Sequence, residues 1–236
     1  MNINIITLFP EIFEALNYGL LGQAIARDDI SINIVYLRDY SINQHGQVDD
    51  KPYGGGEGMV LMAQPLEKAI SSINTINRGL VINLSPQGNP LSQAKAKQLS
   101  TNKNITIVAG RYEGLDERFI KQYVDEEISI GDFILSGGEF AALALIDVFS
   151  RFIPGVIGNK KSVDYDSFSN GLLKGPVFTR PEIYNSDSVP EVLLSGNHAR
   201  IQDWKDAQAL RRTFKRRPEL LNDIKLTKKQ RKLLEE

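Results

Sequence analysis

The amino-acid sequence predicts an α/β protein, a mainly parallel sheet with helices on both faces, followed by a small C-terminal helical domain. Three observations lead there. Short runs rich in isoleucine, valine and leucine alternate with segments of helical period from residue 1 to residue 152. The last of those segments, Glu139–Phe152, is apolar enough to be expected to pack on both sides. Beyond Pro154 the chain turns rich in Gly, Ser, Asn and Asp, then becomes helical and basic.

Element by element, Met1–Leu8 reads as a strand stopped by Pro10, with short helices through Arg27 and a second, alternating strand at Ile30–Tyr36. Arg38 to Gly58 lacks a regular pattern and reads as a long loop, a feature that is usually functional or disordered in a domain of this size. Pro65–Ile73 is a helix, Leu80–Leu84 a buried strand, Ser92–Ser100 a helix and Ile105–Ala109 a strand. Asp116 offers an N-cap to a helix ending at Tyr123, and Glu126–Ile130 is a further strand. Such alternation favours parallel pairing with both faces covered. Gly155–Gly175 has the character of a linker, Asn197 to about Lys215 of a helix, and Thr227–Leu234 of a last helix after a break at Pro218. The resulting division is a large domain over residues 1–157, a flexible linker or lid over 158–175, and a basic helical domain over 176–236.

Composition excludes several classes of chemistry. The 236 residues include no cysteine and two histidines, His45 and His198. Thiolate zinc sites, iron–sulfur clusters, cysteine nucleophiles and a three-histidine metal site within one chain are therefore out. No apolar run approaches the roughly 18 residues of a membrane span, and no basic residue precedes Arg27 as a secretory signal would require. The expectation is a cytoplasmic protein that does not enter a membrane. The net charge of −1 conceals an asymmetry. Residues 196–236 carry twelve Lys/Arg against six Asp/Glu, +6, while the rest carries sixteen against twenty-three, −7. A basic tail on an acidic body suits either a solvated helical face or an anionic partner such as RNA. The cluster Arg211, Arg212, Lys215, Arg216 and Arg217, with Trp204 and Phe214 nearby, has the charge and the rings for phosphate contact and stacking.

Three strands run into loops of one character: Ser85-Pro86-Gln87-Gly88-Asn89-Pro90, Gly110-Arg111-Tyr112-Glu113-Gly114, and Gly131-Asp132 continuing to Ser136-Gly137-Gly138. In a parallel sheet all three emerge at the carboxyl edge, where open α/β sheets bind ligands. One such loop is an ordinary turn; three together point to a site. The glycine fingerprints that cradle dinucleotides and nucleoside triphosphates are absent, so a nucleoside without phosphates, such as S-adenosylmethionine, fits better.

The segments Asp50-Lys51-Pro52-Tyr53-Gly54-Gly55-Gly56, Leu84-Ser85-Pro86-Gln87-Gly88, Gly110-Arg111-Tyr112-Glu113-Gly114, Ile130-Gly131-Asp132, Arg151-Phe152-Ile153-Pro154-Gly155-Val156 and Arg216-Arg217-Pro218-Glu219-Leu220-Leu221 together resemble the bacterial tRNA (guanine-N1)-methyltransferase family (TrmD), which acts at guanosine 37 and belongs to the SPOUT superfamily. The resemblance runs in order through essentially the whole chain. It implies a deep trefoil knot at the carboxyl edge, against the general avoidance of knots, and a homodimer with each active site at the subunit interface. It implies that Leu84, Ser85, Pro86, Gly110, Tyr112, Gly114, Ile130, Gly131, Asp132, Phe133, Ile134, Leu135, Gly137 and Gly138 bind S-adenosylmethionine. It implies as partner a tRNA with guanosine at position 37, met by Tyr53, Gly55, Gly56 and Gly58 and by Arg180, Arg211, Arg212 and Lys215 in the basic part. His45 is either a further RNA contact or incidental. Magnesium benefits the family, yet no ligand cluster for it can be read here, and no metal residue is assigned.

The chemistry such an enzyme needs is specific. Guanine N1 carries a proton at neutral pH and attacks only once that proton leaves. A carboxylate with an ordinary pKa of about 3.9 is a weak base for this, helped if it is desolvated and if a cation stabilises charge building on O6. By the resemblance, Asp166 is the general base and Arg151 the stabiliser of the guanine oxygen. From the residues alone, Asp166 reads rather as a solvated linker aspartate, and Arg151 as a cation suited to the last turn of a helix. Glu113 is a secondary catalytic candidate or a charged turn residue. The chain departs from the family pattern at Glu57 and Ala141, where proline is usual, and at Phe133, where tyrosine is common. It departs again at Lys174, in place of an acidic residue, and at Val177-Phe178, in place of a histidine–tyrosine pair before Thr179-Arg180-Pro181. Rival readings are a related SPOUT enzyme with another RNA target, a non-catalytic RNA-binding protein, and a nicotinamide-dependent oxidoreductase, the last disfavoured by the missing fingerprint.

Overall fold

Five strands form one parallel sheet in the order β2-β1-β6-β5-β7 in the computed structural model, which describes residues 1–158, 165–222 and 224–235. The strands are β1 (Asn2–Thr7), β2 (Ser31–Tyr36), β5 (Leu80–Pro90), β6 (Asn104–Val108) and β7 (Glu126–Ser129). A two-residue ladder, β3 (Asp49–Asp50) with β4 (Val60–Leu61), stands apart. The chain divides into two compact units, Met1–Gly158 and Asn159–Glu236.

Period-two alternation assigns the faces of the sheet. Ile3 and Ile5 of β1, Ile82 of β5, and Ile105 and Ile107 of β6 point into one core, shared with helices α1 (Gly19–Ala26), α4 (Gln93–Leu99) and α6 (Gly138–Ser150). Ile6, Val81 and Val108 point the other way, against Leu66, Ala69 and Ile70 of α2 (Ala63–Ser72) and Phe119 of α5 (Glu117–Tyr123). A one-turn helix, α3 (Thr75–Arg78), precedes β5, with Asn74 accepting from Ile76 N at its start. The starts of α4 and α5 follow their caps: Ser92 accepts from Lys95 N at α4, and Asp116 from Arg118 N at α5. Asn4, a polar side chain inside the sheet, is paired, as burial demands. Asn4 donates to Asn77 O at 2.9 Å and to Thr106 Oγ1 at 3.2 Å.

Three expectations are corrected. The strand starting at Leu80 does not end at Leu84. After an excursion it returns to pair Asn89 with Ile128, the same partner as Leu84, and Pro90 with Ser129. Gly88 permits this, since a Cβ there would stand 2.4 Å from Ile128 N. Arg38–Gly58 is not all loop: a 3-10 turn (Leu37–Tyr40) opens it, and β3 lies within it, paired with a strand beyond its end. Helix α6 is not packed on both sides, because Ala142, Leu145, Ile146 and Phe149 are buried while Phe140 is 53% exposed. The linker or lid expected over 158–175 is described only in part. Residues 159–164 lie outside the described residues, whereas 165–175 form a hydrogen-bonded loop within the second unit.

That second unit also holds a hairpin of β8 (Ile183–Tyr184) and β9 (Asp187–Ser188), a one-turn helix α7 (Glu191–Leu194), the long helix α8 (His198–Arg216), a 3-10 turn at Pro218–Leu221 and α9 (Lys228–Glu235). Asn197 caps α8 by accepting from Arg200 N at 3.1 Å, and Pro218 prevents its continuation.

Candidate active site

The loops that follow β6 and β7, and the excursion inside β5, leave neighbouring strands on one edge and enclose a cleft of about 580 Å³. Its walls include Leu84, Ser85, Pro86, Gly110, Tyr112, Glu113, Gly114, Ile130, Gly131, Phe133, Ile134, Leu135, Gly137 and Gly138. Of the residues expected to bind a cofactor, Asp132 alone is absent from that lining and faces solvent.

One charge pair fixes two of these loops against each other. Arg111 Nε donates to Glu139 Oε2 at 2.9 Å, and Arg111 Nη1 donates to Ser136 O at 3.1 Å. Glu139 is fully buried in the first turn of α6, where a carboxylate also suits the positive end of the helix. Its other oxygen accepts from Thr7 Oγ1 at 3.2 Å. The guanidinium lies 4.3 Å from the centre of the Phe9 ring, a cation–π arrangement. Gly138 N donates to Gly110 O at 2.7 Å, closing the junction through the backbone. Sequence reasoning passed over Glu139 and gave Arg111 no role. The available signal was an acidic residue opening an otherwise apolar helix beside a Gly-Gly pair.

The glycine-rich segment at 54–58 is tied to the same loops. Glu113 N donates to Met59 O and Leu61 N to Gly114 O, both at 2.9 Å. Gly58 has φ +87°, and a Cβ there would stand 2.6 Å from Glu113 Oε1, so glycine satisfies both the backbone conformation and the space. Tyr53 is fully exposed, and Gly55 and Gly56 are exposed beside it.

The cleft suits a nucleoside-containing ligand. Asn83 in its wall is 3% exposed and donates through Nδ2 to Glu127 Oε1 at 2.7 Å. Its Oδ1 is buried without a hydrogen-bond partner among the described residues, an acceptor that matches the amine and hydroxyl donors of S-adenosylmethionine. Phe133, Ile134 and Leu135 present exposed apolar surface beside it. Among the described residues no group of three or more His, Asp and Glu side chains is placed to hold a metal ion. No helix of the described residues is long and apolar enough to cross a membrane.

Other expected residues lie elsewhere. Arg151 is the C-cap of α6, whose opposite end begins at Gly138 in the cleft. Asp166 belongs to the second unit, where Lys174 Nζ stands 3.4 Å from its Oδ1. Arg180, Arg211 and Lys215 are exposed and Arg212 is half-buried, also in that unit.

The family model described as tRNA (Guanine-1)-methyltransferase TrmD matches residues 1–223. A tRNA (guanine-N(1)-)-methyltransferase of Klebsiella pneumoniae is 52% identical over 239 residues, covering 100% of this chain and 94% of that protein. Proteins of the same name from Marinomonas sp. and Staphylococcus epidermidis are each 50% identical, covering 100% of this chain and 95% and 96% of their own lengths. With a family match over residues 1–223 and relatives at this identity over nearly their full length, the chain belongs to the tRNA (guanine-1)-methyltransferase family, TrmD.

Proposed function

We propose that this protein methylates N1 of guanosine 37 in tRNA, using S-adenosylmethionine bound in the cleft at the carboxyl edge of the sheet. The observation that carries the reading is the convergence of three loops on that one cleft, with the glycine-rich 54–58 segment tied to its rim. When bound, S-adenosylmethionine supplies a methyl carbon made electrophilic by its sulfonium.

The protein's own part is to free a lone pair on N1. Asp166 accepts the N1 proton, and Arg151 offsets the negative charge that spreads to O6 as the proton leaves. The proton ends on Asp166, and bound S-adenosylmethionine would supply the methyl group to the freed N1, leaving as the neutral thioether. Glu113, at the rim, helps to position the reactants. Tyr53, Gly55, Gly56 and Gly58 meet the target nucleotide and its neighbour, while Arg180, Arg211, Arg212 and Lys215 contact the RNA backbone.

A homodimer fits the arrangement of α6. Its thirteen residues separate Gly138 from Arg151 by roughly 20 Å at 1.5 Å per residue. Arg151 and the cleft of one chain are thus at opposite ends of a helix, which favours a site completed by a second copy. The half-exposed Phe140 on the open side of α6 suits such a contact. The same reading includes the trefoil knot at the carboxyl edge and action in the cytoplasm.

The test is to incubate purified protein with labelled S-adenosylmethionine and unmodified tRNA bearing guanosine 37, then map the product by mass spectrometry. Methyl at N1 of guanosine 37 is the expected product. Methyl at another nucleotide would identify a related enzyme, and tRNA binding without binding of S-adenosylhomocysteine would identify a non-catalytic RNA-binding protein.

A further inference from the structure

We propose that Thr213 is a positioning residue for Asp166: it fastens the aspartate loop to the basic helix α8, so that the surface offered to the RNA backbone and the base move as one body. The inference rests on Asp166 acting as proposed above.

Thr213 is fully buried near the end of a helix whose exposed side chains are mostly charged or polar. Its hydroxyl is used twice. Oγ1 donates to Ala209 O at 2.7 Å, the preceding turn of its own helix, and accepts from Leu173 N at 2.9 Å. The first bond orients the hydroxyl and leaves its lone pairs for the second. Beside it Leu172 is buried, and Gly175 runs so close to α8 that a Cβ there would stand 3.2 Å from Lys205 O. The loop backbone therefore lies directly on the helix.

From Leu173 the fastening reaches Asp166 in short steps. Leu172 O accepts from Phe168 N at 2.8 Å, Lys174 N donates to Ser167 Oγ at 3.0 Å, and Asp166 O accepts from Ser169 N at 3.2 Å. Lys174 Nζ stands 3.4 Å from Asp166 Oδ1, and Arg212 Nη1 donates to Lys174 O at 3.4 Å. Arg211, Arg212 and Lys215 lie within two residues of Thr213. This stretch of helix thus carries the exposed cations Arg211 and Lys215, suited to phosphates, and on its inner side the anchor of the base, with Arg212 bonded to the loop. A displacement near 1 Å at a reacting group can cost about a hundredfold in rate, so a fastening of this kind governs turnover without touching substrate.

The test compares Thr213→Val, nearly the same shape without the hydroxyl, with Thr213→Ser, which retains it. Methyl transfer to tRNA is measured under single-turnover conditions, with KM for tRNA and affinity for S-adenosylhomocysteine measured alongside. The Val variant is expected to lose about 10- to 100-fold in rate, with KM and affinity within about twofold and faster hydrogen exchange at the Leu173 amide. The Ser variant is expected to recover most of the rate. Gly175→Ala, which presses the loop away from Lys205 O, is expected to reproduce the loss independently should the Val variant fold poorly. Wild-type rate in a Val variant whose Leu173 amide exchanges faster would overturn the inference alone, as would equal losses in the Val and Ser variants. An inactive wild-type protein would instead overturn the function on which the inference rests.

Discussion

Arg111 and Glu139 form a buried charge pair, 2.9 Å from Nε to Oε2, with the arginine side chain 18% exposed and the glutamate not at all. Four pieces of chain meet there: the end of β1 through Thr7 and Phe9, the loops after β6 and β7, and the first turn of α6. Removing one partner of such a pair strands the other charge in the interior. Arg111→Ala is therefore expected to destabilise the protein by about 3–5 kcal/mol, read from urea unfolding. The double variant Arg111→Met with Glu139→Leu removes both charges and should unfold at a higher urea concentration than Arg111→Ala. If Arg111→Ala matches wild type, the pair does not hold the loops.

Gly137 touches the same pair from the other side. A Cβ there would lie 2.2 Å from Arg111 Nε and 2.5 Å from Glu139 Oε2, so Gly137→Ala must displace one of them. Because the cleft wall moves with them, affinity for S-adenosylhomocysteine is expected to fall by about tenfold or more, the equivalent of one good hydrogen bond. Titration calorimetry gives the value; unchanged affinity would show that the cleft tolerates the shift.

Acid should expose the cap of α5. The Arg118 guanidinium, hydrogen-bonded to Asp116 at 2.9 and 2.6 Å, holds that carboxyl below its ordinary value against the opposing effect of partial burial. A carboxylate depressed in the folded state stabilises the protein above its unfolded pKa of about 3.9, and that contribution disappears as pH falls through the folded value. Asp116→Asn keeps an acceptor for Arg118 N but loses the charge. Its deficit relative to wild type, within about 1 kcal/mol for a solvent-screened pair, should be present at pH 7 and vanish toward pH 2. A deficit independent of pH would assign the effect to the cap geometry.

Much of the sheet was legible because its strands obey a local rule. The alternation of Ile3, Ile5, Ile105 and Ile107 against Ile6 and Val108 follows from sequence and survives folding unchanged. The Asp116 cap is equally local. What escaped depends on partners distant in sequence. Gly88-Asn89-Pro90 has turn chemistry, yet the strand resumes at Asn89 because β7 offers it Ile128 again. The β3–β4 ladder has two residues a side and no periodicity to reveal it. Arg111 and Glu139, 28 residues apart, look like surface charges until the fold buries one against the other. In the candidate site, the glycine-bearing loops announced themselves, whereas Asp166 was distinguished from a solvated aspartate by family resemblance alone. Its ion pair with Lys174 and the fastening through Thr213 are properties of the folded second unit.

The most direct measurement is the single-turnover rate of N1-methylguanosine formation at position 37, for wild type and Asp166→Asn, with both bound to the same tRNA. Removing a general base costs typically 10²–10⁴-fold, so the Asn variant should lose at least about a hundredfold while keeping wild-type affinity for tRNA and S-adenosylhomocysteine. Methylation at the wild-type rate by the Asn variant would contradict the assignment of Asp166 as the group that removes the N1 proton.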